Sequence, residues 1–294
     1  MNLRIQQALI ALILSATVFI AAPASADTIS FRSDYWCPYI CNPESENPGY
    51  MVEIAKAVFE KQGHKVHIKL NNWVRAIKDT RSNKVQALIG CSVVDAPDFI
   101  FPKTSLGLMK NAYFVSKKSK WSYNGRPSLQ GLRLGVINGY AYGDSVDNLI
   151  RARHRSFVPF SGDRPLEQII RMIQAGRLDG FIENPVVLQY MSVTARLALE
   201  DLKLAGWVES RDPSLYIAFS PNNPKSQEYA KLLDRGIDEL RHSGELQRIL
   251  EKYNLKDWKE APEQGFSLGA LDYLGSGFLK SPLNLLHMLD ARSL

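Results

Sequence analysis

From residue 28 to residue 90 the sequence switches back and forth between two hydrophobic periods, and that alternation restricts its fold more than any other feature. TISFRS (28–33) is apolar at every second position, which predicts a strand. YMVEIAKAVFEKQG (50–63) sets Met51, Ile54, Ala55, Val58 and Phe59 at helical spacing and closes on Gly63. KVHIKL (65–70) alternates as a strand, NWVRAIKDTRSNK (72–84) reads as a second helix, and VQALIG (85–90) as a buried strand. Such an order needs right-handed crossovers and a parallel sheet, the mark of α/β architecture. Ligands of open parallel sheets bind beyond the C-terminal strand ends. The loops 34–43 and 91–98 therefore fall on one rim.

A second α/β unit follows. NAYFVSKKS (111–119) is extended, LRLGVI (132–137) starts a new strand, and GYAYGDS (139–145) is a glycine-rich turn before a helix. SFVPF (156–160), the helix PLEQIIRMIQAG (165–176), the strand RLDGFIE (177–183) and the helix NPVVLQYM (184–191) continue the pattern. LYIAFSP (215–221) then returns toward the first unit, and helices are predicted over 224–243 and 244–254. The second unit reads as an insertion in the first, with crossings near 111–120 and 214–222.

The ends of the chain have a different character. Arg4, an apolar run from Ala8 to Ala22, and Ala24-Ser25-Ala26 make a secretory signal that predicts cleavage after Ala26. The remaining Asp27–Leu294 suits two domains, and its 261–294 tail carries no functional signal. Net charge is +6 for 294 residues, with basic residues spread along the chain. Export and that even spread argue against a nucleic-acid partner. The three cysteines, Cys37, Cys41 and Cys91, would enter an oxidising compartment, where an odd count leaves one unpaired or paired with another chain. Cys37 and Cys41 have C-x3-C spacing, not the C-x-x-C of thiol oxidoreductases. Either they pair with each other or Cys91 pairs with one of them across the rim. The five histidines do not combine with these cysteines in metal-ligand spacing, so no metal and no cofactor are expected.

Several stretches, in order, resemble type II periplasmic solute-binding proteins of family 3, a group that includes the amino-acid receptors of ABC transporters. They are PGYMVEIAKAVFEKQG, NNWVRAIKDTRSNKVQALIG, DAPDFIFP, GVINGYAYGD, MIQAGRLDGFIENPVVLQY, YIAFSPNNP and LRHSGELQRILEKYNLKDW, spanning about 29–258. The resemblance implies a two-lobe Venus-flytrap fold, each lobe a mostly parallel sheet flanked by helices, joined by two hinge crossovers. Lobe one would comprise 27–114 plus 218–260, and lobe two 115–217. It also implies a periplasmic monomer that is no enzyme. Such a protein closes on a small solute and delivers it to an inner-membrane ABC permease or presents it to a membrane sensor. A few proteins of similar fold act as dehydratases on small acids, for which Glu183 or Asp95 would supply the acid or base. Amino-acid receptors of the family usually carry an arginine after the third strand for the ligand carboxylate, and an aspartate on lobe two for its ammonium. This sequence has Pro97 and Asp98 near the first place and Glu183-Asn184 at the second, which argues against a standard α-amino-acid ligand.

Candidate binding residues follow from the rim. Tyr35, Trp36 and Tyr39 offer aromatic faces, with at least one expected to meet the ligand. Trp73 and Arg75 open the second helix; Arg75 either grips an anion or pairs with Asp79 one turn on. Ser92 and Asp95 either contact the ligand or cap a turn. Tyr140 and Tyr142 lie on the glycine turn, which either receives an anion at a helix start or is a plain turn. Glu183 either binds a cation or points away, while Asn184 caps the helix begun by Pro185.

Overall fold

The structure is a computed structural model that describes residues 26–194, 199 and 201–259. The 261–294 tail and all of the signal segment but Ala26 lie outside the described residues. In chain order the elements are β1 (Thr28–Ser33), α1 (Tyr50–Lys61), β2 (Lys65–Leu70), α2 (Trp73–Arg81), β3 (Ala87–Cys91), β4 (Gly107–Leu108) and β5 (Ala112–Ser116). Then come β6 (Leu134–Ile137), α3 (Asp144–Arg151), β7 (Phe157–Phe160), α4 (Pro165–Gln174), β8 (Gly180–Glu183) and α5 (Pro185–Thr194). The last are β9 (Leu202–Trp207), β10 (Ser214–Phe219), α6 (Ser226–His242) and α7 (Glu245–Glu251).

They form two five-stranded sheets, one per lobe, ordered β2-β1-β3-β10-β4 and β7-β6-β8-β5-β9. β1 runs parallel to β2 and β3, and β6 runs parallel to β7 and β8. The returning strands pair antiparallel, β10 with β3 and β4, and β5 with β8 and β9. Each sheet is therefore mixed, parallel in the half built from strand–helix–strand units and antiparallel in the half that carries the chain between lobes. β5 lies wholly in the second sheet and β10 wholly in the first. The chain passes between the two sheets over 109–111 and 208–213.

The periodicities explain the packing. Met51, Ile54, Ala55, Val58 and Phe59 of α1 are all buried, as their spacing predicts. Every residue of β3 is buried, as befits a strand covered on both faces. The loop after β1 is folded back on the start of α1. Cys41 N donates to Pro48 O at 2.8 Å, Tyr50 N to Pro38 O at 3.1 Å, and Gly49 N to the Tyr253 hydroxyl at 2.9 Å. Gly49 makes this possible: its φ is 103°, and a Cβ there would lie 2.6 Å from Tyr39 O. Trp36, Cys37, Tyr39, Ile40 and Cys41 are consequently core residues, although they belong to a loop.

A candidate binding cleft between the lobes

The C-terminal edges of the two sheets face each other. Asp34, directly after β1, accepts a hydrogen bond from the Tyr140 hydroxyl on the turn after β6. Trp36 donates from Nε1 to Glu183 Oε1 at 3.2 Å, and Asn184 donates from Nδ2 to the Tyr39 hydroxyl at 3.0 Å. Each of these bonds joins one lobe to the other, so the structure is of the closed form.

Aromatic rings fill the seam. Trp36 stacks on Tyr39 with centroids 4.3 Å apart, and Tyr140 meets Trp36 and Trp73 edge-on at 6.5 and 6.0 Å. Trp36 and Tyr140 separate two cavities. Asp34, Trp73, Gly90, Asp95 and Met109 line the first. Tyr35, Arg164, Glu167, Glu183 and Met191 line the second. The enclosed room in each is about what a water molecule or two occupies. The lobes are in direct contact here, and a solute would enter only after they part. Beside the seam, Gly139 (φ 83°) brings lobe-two backbone against α2, where an added Cβ would lie 2.7 Å from Val74 Cγ2.

The electrostatics of the seam are one-sided. Loss of solvent pushes the Asp34 carboxyl up to about 6, against the opposing Tyr140 hydrogen bond, and the nearby Asp95 adds to the rise. Burial pushes Glu183 up to about 7, with Asp34 contributing repulsion across the seam. Burial raises Asp95 as well. Glu183 is 2% exposed, and its Oε2 has no hydrogen-bond partner. Trp73 Nε1 is also without a partner of good geometry, although the indole is close enough to Asp95 to favour its ionised form. The Arg164 side chain is mostly solvent-exposed and bonds to Glu167 at 3.2 Å.

The residues anticipated from sequence divide cleanly. Trp36, Trp73, Asp95, Tyr140 and Glu183 line the cavities, and Tyr35 does so from an exposed position. Tyr39 backs Trp36. Ser92 is the turn partner of Asp95, whose Oδ2 accepts from Ser92 N at 2.8 Å and Oγ at 2.6 Å. Asn184 caps α5, accepting from Val186 N at 2.9 Å. Arg75 lines neither cavity; it is exposed, 3.6 Å from Asp79. Tyr142 turns into lobe two, where its hydroxyl accepts from Ile137 N at 2.6 Å. The glycine turn is no open anion cradle, because Asp147 accepts from Tyr142 N at 2.8 Å and Gly143 N at 3.2 Å. Cys37 and Cys41 are joined by a disulfide, and Cys91 is a buried free thiol. Sequence reasoning missed Asp34. Its position directly after β1, on the predicted rim, was the available signal.

No curated protein sequence matches the chain. Among solved structures, it is similar to a histidine kinase sensor domain resembling periplasmic binding proteins, at 20% identity and TM-score 0.61, covering 77% of this chain and 96% of that one. It is similar to an ancestral arginine-binding protein bound to arginine, at 20% identity and TM-score 0.61, covering 78% and 98%. A third likeness is to a structure from work on glutathione import in Gram-positive bacteria and the cystine ABC importer of Streptococcus mutans, at 21% identity and TM-score 0.63, covering 80% and 98%. These likenesses establish a shared two-lobe type II binding-protein fold. Residues 29–256 match the profile of one family over most of the chain, and the protein belongs to the bacterial extracellular solute-binding proteins, family 3.

Proposed function

We propose that the protein is a periplasmic receptor that closes on a small polar or charged solute and delivers it to an inner-membrane ABC permease. The observation that carries this is the seam itself. Asp34, Trp36 and Tyr39 of one lobe bond to Tyr140, Glu183 and Asn184 of the other, all at strand ends where such sheets take ligands. A solute touching both lobes binds the closed form better than the open one and drives closure by that difference. The test is a thermal-shift screen of the purified protein against amino acids, amines, organic acids and sugars. A true ligand raises the melting temperature in a saturable way. If no solute does so at millimolar concentration, the receptor reading fails.

A second output is favoured by the likeness to a sensor domain. The closed protein would then be read by a membrane receptor in place of a permease. Cross-linking of the closed, liganded protein in membranes distinguishes the two by the partner it captures.

A further inference from the structure

The seam specifies a charge for the solute. Asp34 lies on lobe one and Glu183 on lobe two, the first bonded by the Tyr140 hydroxyl and the second by the Trp36 indole N–H. Among the described residues, neither carboxylate has a cation against it; their partners are the Tyr140 hydroxyl, the Trp36 indole N–H and the Asn184 backbone N–H. One oxygen of Glu183 is buried with no donor among the described residues. An orphaned buried acceptor is costly, and a positively charged donor is the group that repairs it best.

Among the described residues, the same site offers an anion little beyond Arg164. The residues lining the two cavities include no lysine or histidine, and their arginine is paired with Glu167. Arg81, on the helix before the β3 loop, is held bidentately by Asp98 at 2.8 and 3.0 Å. The start of α3 is occupied by the carboxylate of Asp147. A solute carboxylate would meet Asp34, Asp95 and Glu183, and the one cationic side chain in the described lining, Arg164, is already paired with Glu167.

We propose that the solute is a compact organic cation with no carboxylate of its own, a primary amine or a methylated ammonium, seated between Asp34 and Glu183 and faced by Trp36, Trp73 and Tyr140. This rests on the receptor reading above and names its substrate class. The rings suit it, because aromatic faces attract cations most strongly once water is excluded. The cation also supplies the latch. Empty, the closed form brings two carboxyls together across the seam; loaded, one positive charge attracts both, so it stabilises closure specifically.

The test is calorimetric titration of the purified protein with putrescine, choline, arginine, glutamate and glucose, together with the variants Asp34→Asn and Glu183→Gln. Saturable binding of putrescine or choline is expected, with arginine and glutamate at least tenfold weaker. Each variant is expected to weaken the amine roughly tenfold or more. Circular dichroism and an unliganded melting temperature at or above wild type show that each variant is folded. Binding of glutamate or arginine in preference to the amines overturns the proposal and leaves the receptor reading standing. Unchanged amine affinity in both folded variants also overturns it. Silence of every probe, with the wider solute screen silent too, overturns both.

Discussion

Asp34 and Glu183 make the protein sensitive to pH with two opposite signs. In the folded protein their carboxyls titrate at about 6 and about 7, above ordinary values of 3.8 and 4.5. Between those limits the folded state holds protons that the unfolded chain has released. Their contribution to stability is therefore complete at low pH and lost as pH rises through about 6 to 7. Relative to the D34N/E183Q double variant, the unliganded wild type should gain melting temperature between pH 8 and pH 5. Amine affinity should fall over the same interval, because protonation removes the charges that hold the cation. Melting curves and titrations at matched pH check both signs. At this scale the sequence was readable wherever the strand-end rule applied, as for Trp36 and Glu183. It was less readable where neighbours along the chain part company. Trp73 and Arg75 are two residues apart, hence roughly 200° apart around the helix. One turns inward and the other out to solvent. Asp34 could be placed on the rim from sequence, but its bond to Tyr140 spans 106 residues and no local pattern encodes it.

Among the elements, α3 shows how a helix start can be closed to ligands by its own chain. Asp147 takes the N–H groups of Tyr142 and Gly143 that an anion would otherwise occupy. Asp147→Ala should lower stability by about 1–2 kcal/mol in denaturant titrations while leaving amine affinity within twofold. The helices and parallel strands were legible because each has a strong period and a clear stop. α1 needed only its buried face and Gly63 to be read. β9 escaped because it is an edge strand: four of its six residues are half-buried, and Gly206 interrupts it with a φ of 152°. The mixed character of the sheets was similarly hidden, since strand direction depends on partners far away in sequence. Once β5 and β10 must carry the chain between lobes, antiparallel pairing follows.

For the whole molecule, the contact of Gly139 with Val74 is a point where the two lobes touch without chemistry. Gly139→Val would intrude on that contact and require an unfavourable backbone angle. It should hold the lobes ajar, enlarging the radius of gyration in small-angle scattering and weakening solute binding about tenfold. Val74→Ala in the same protein should recover part of the loss, since the two positions are coupled by contact. The division into two lobes was legible from the interruption and resumption of the first unit. Their closed arrangement was not, because it rests on the bonds of Asp34, Trp36 and Tyr39 to the opposite lobe.

The Cys37–Cys41 link flanks Tyr39 and adjoins Trp36, which with Tyr140 lines both cavities. Closing so short a loop adds little to global stability and acts chiefly on local stiffness. In the receptor reading, oxidation is thereby expected to tighten capture. A chain whose thiols are still reduced is expected to hold Trp36 more loosely and to grip a solute less firmly. Titration before and after reduction should show a lower amine affinity with little change in fold. The link would then act as a chemical licence for tight capture, written into five residues.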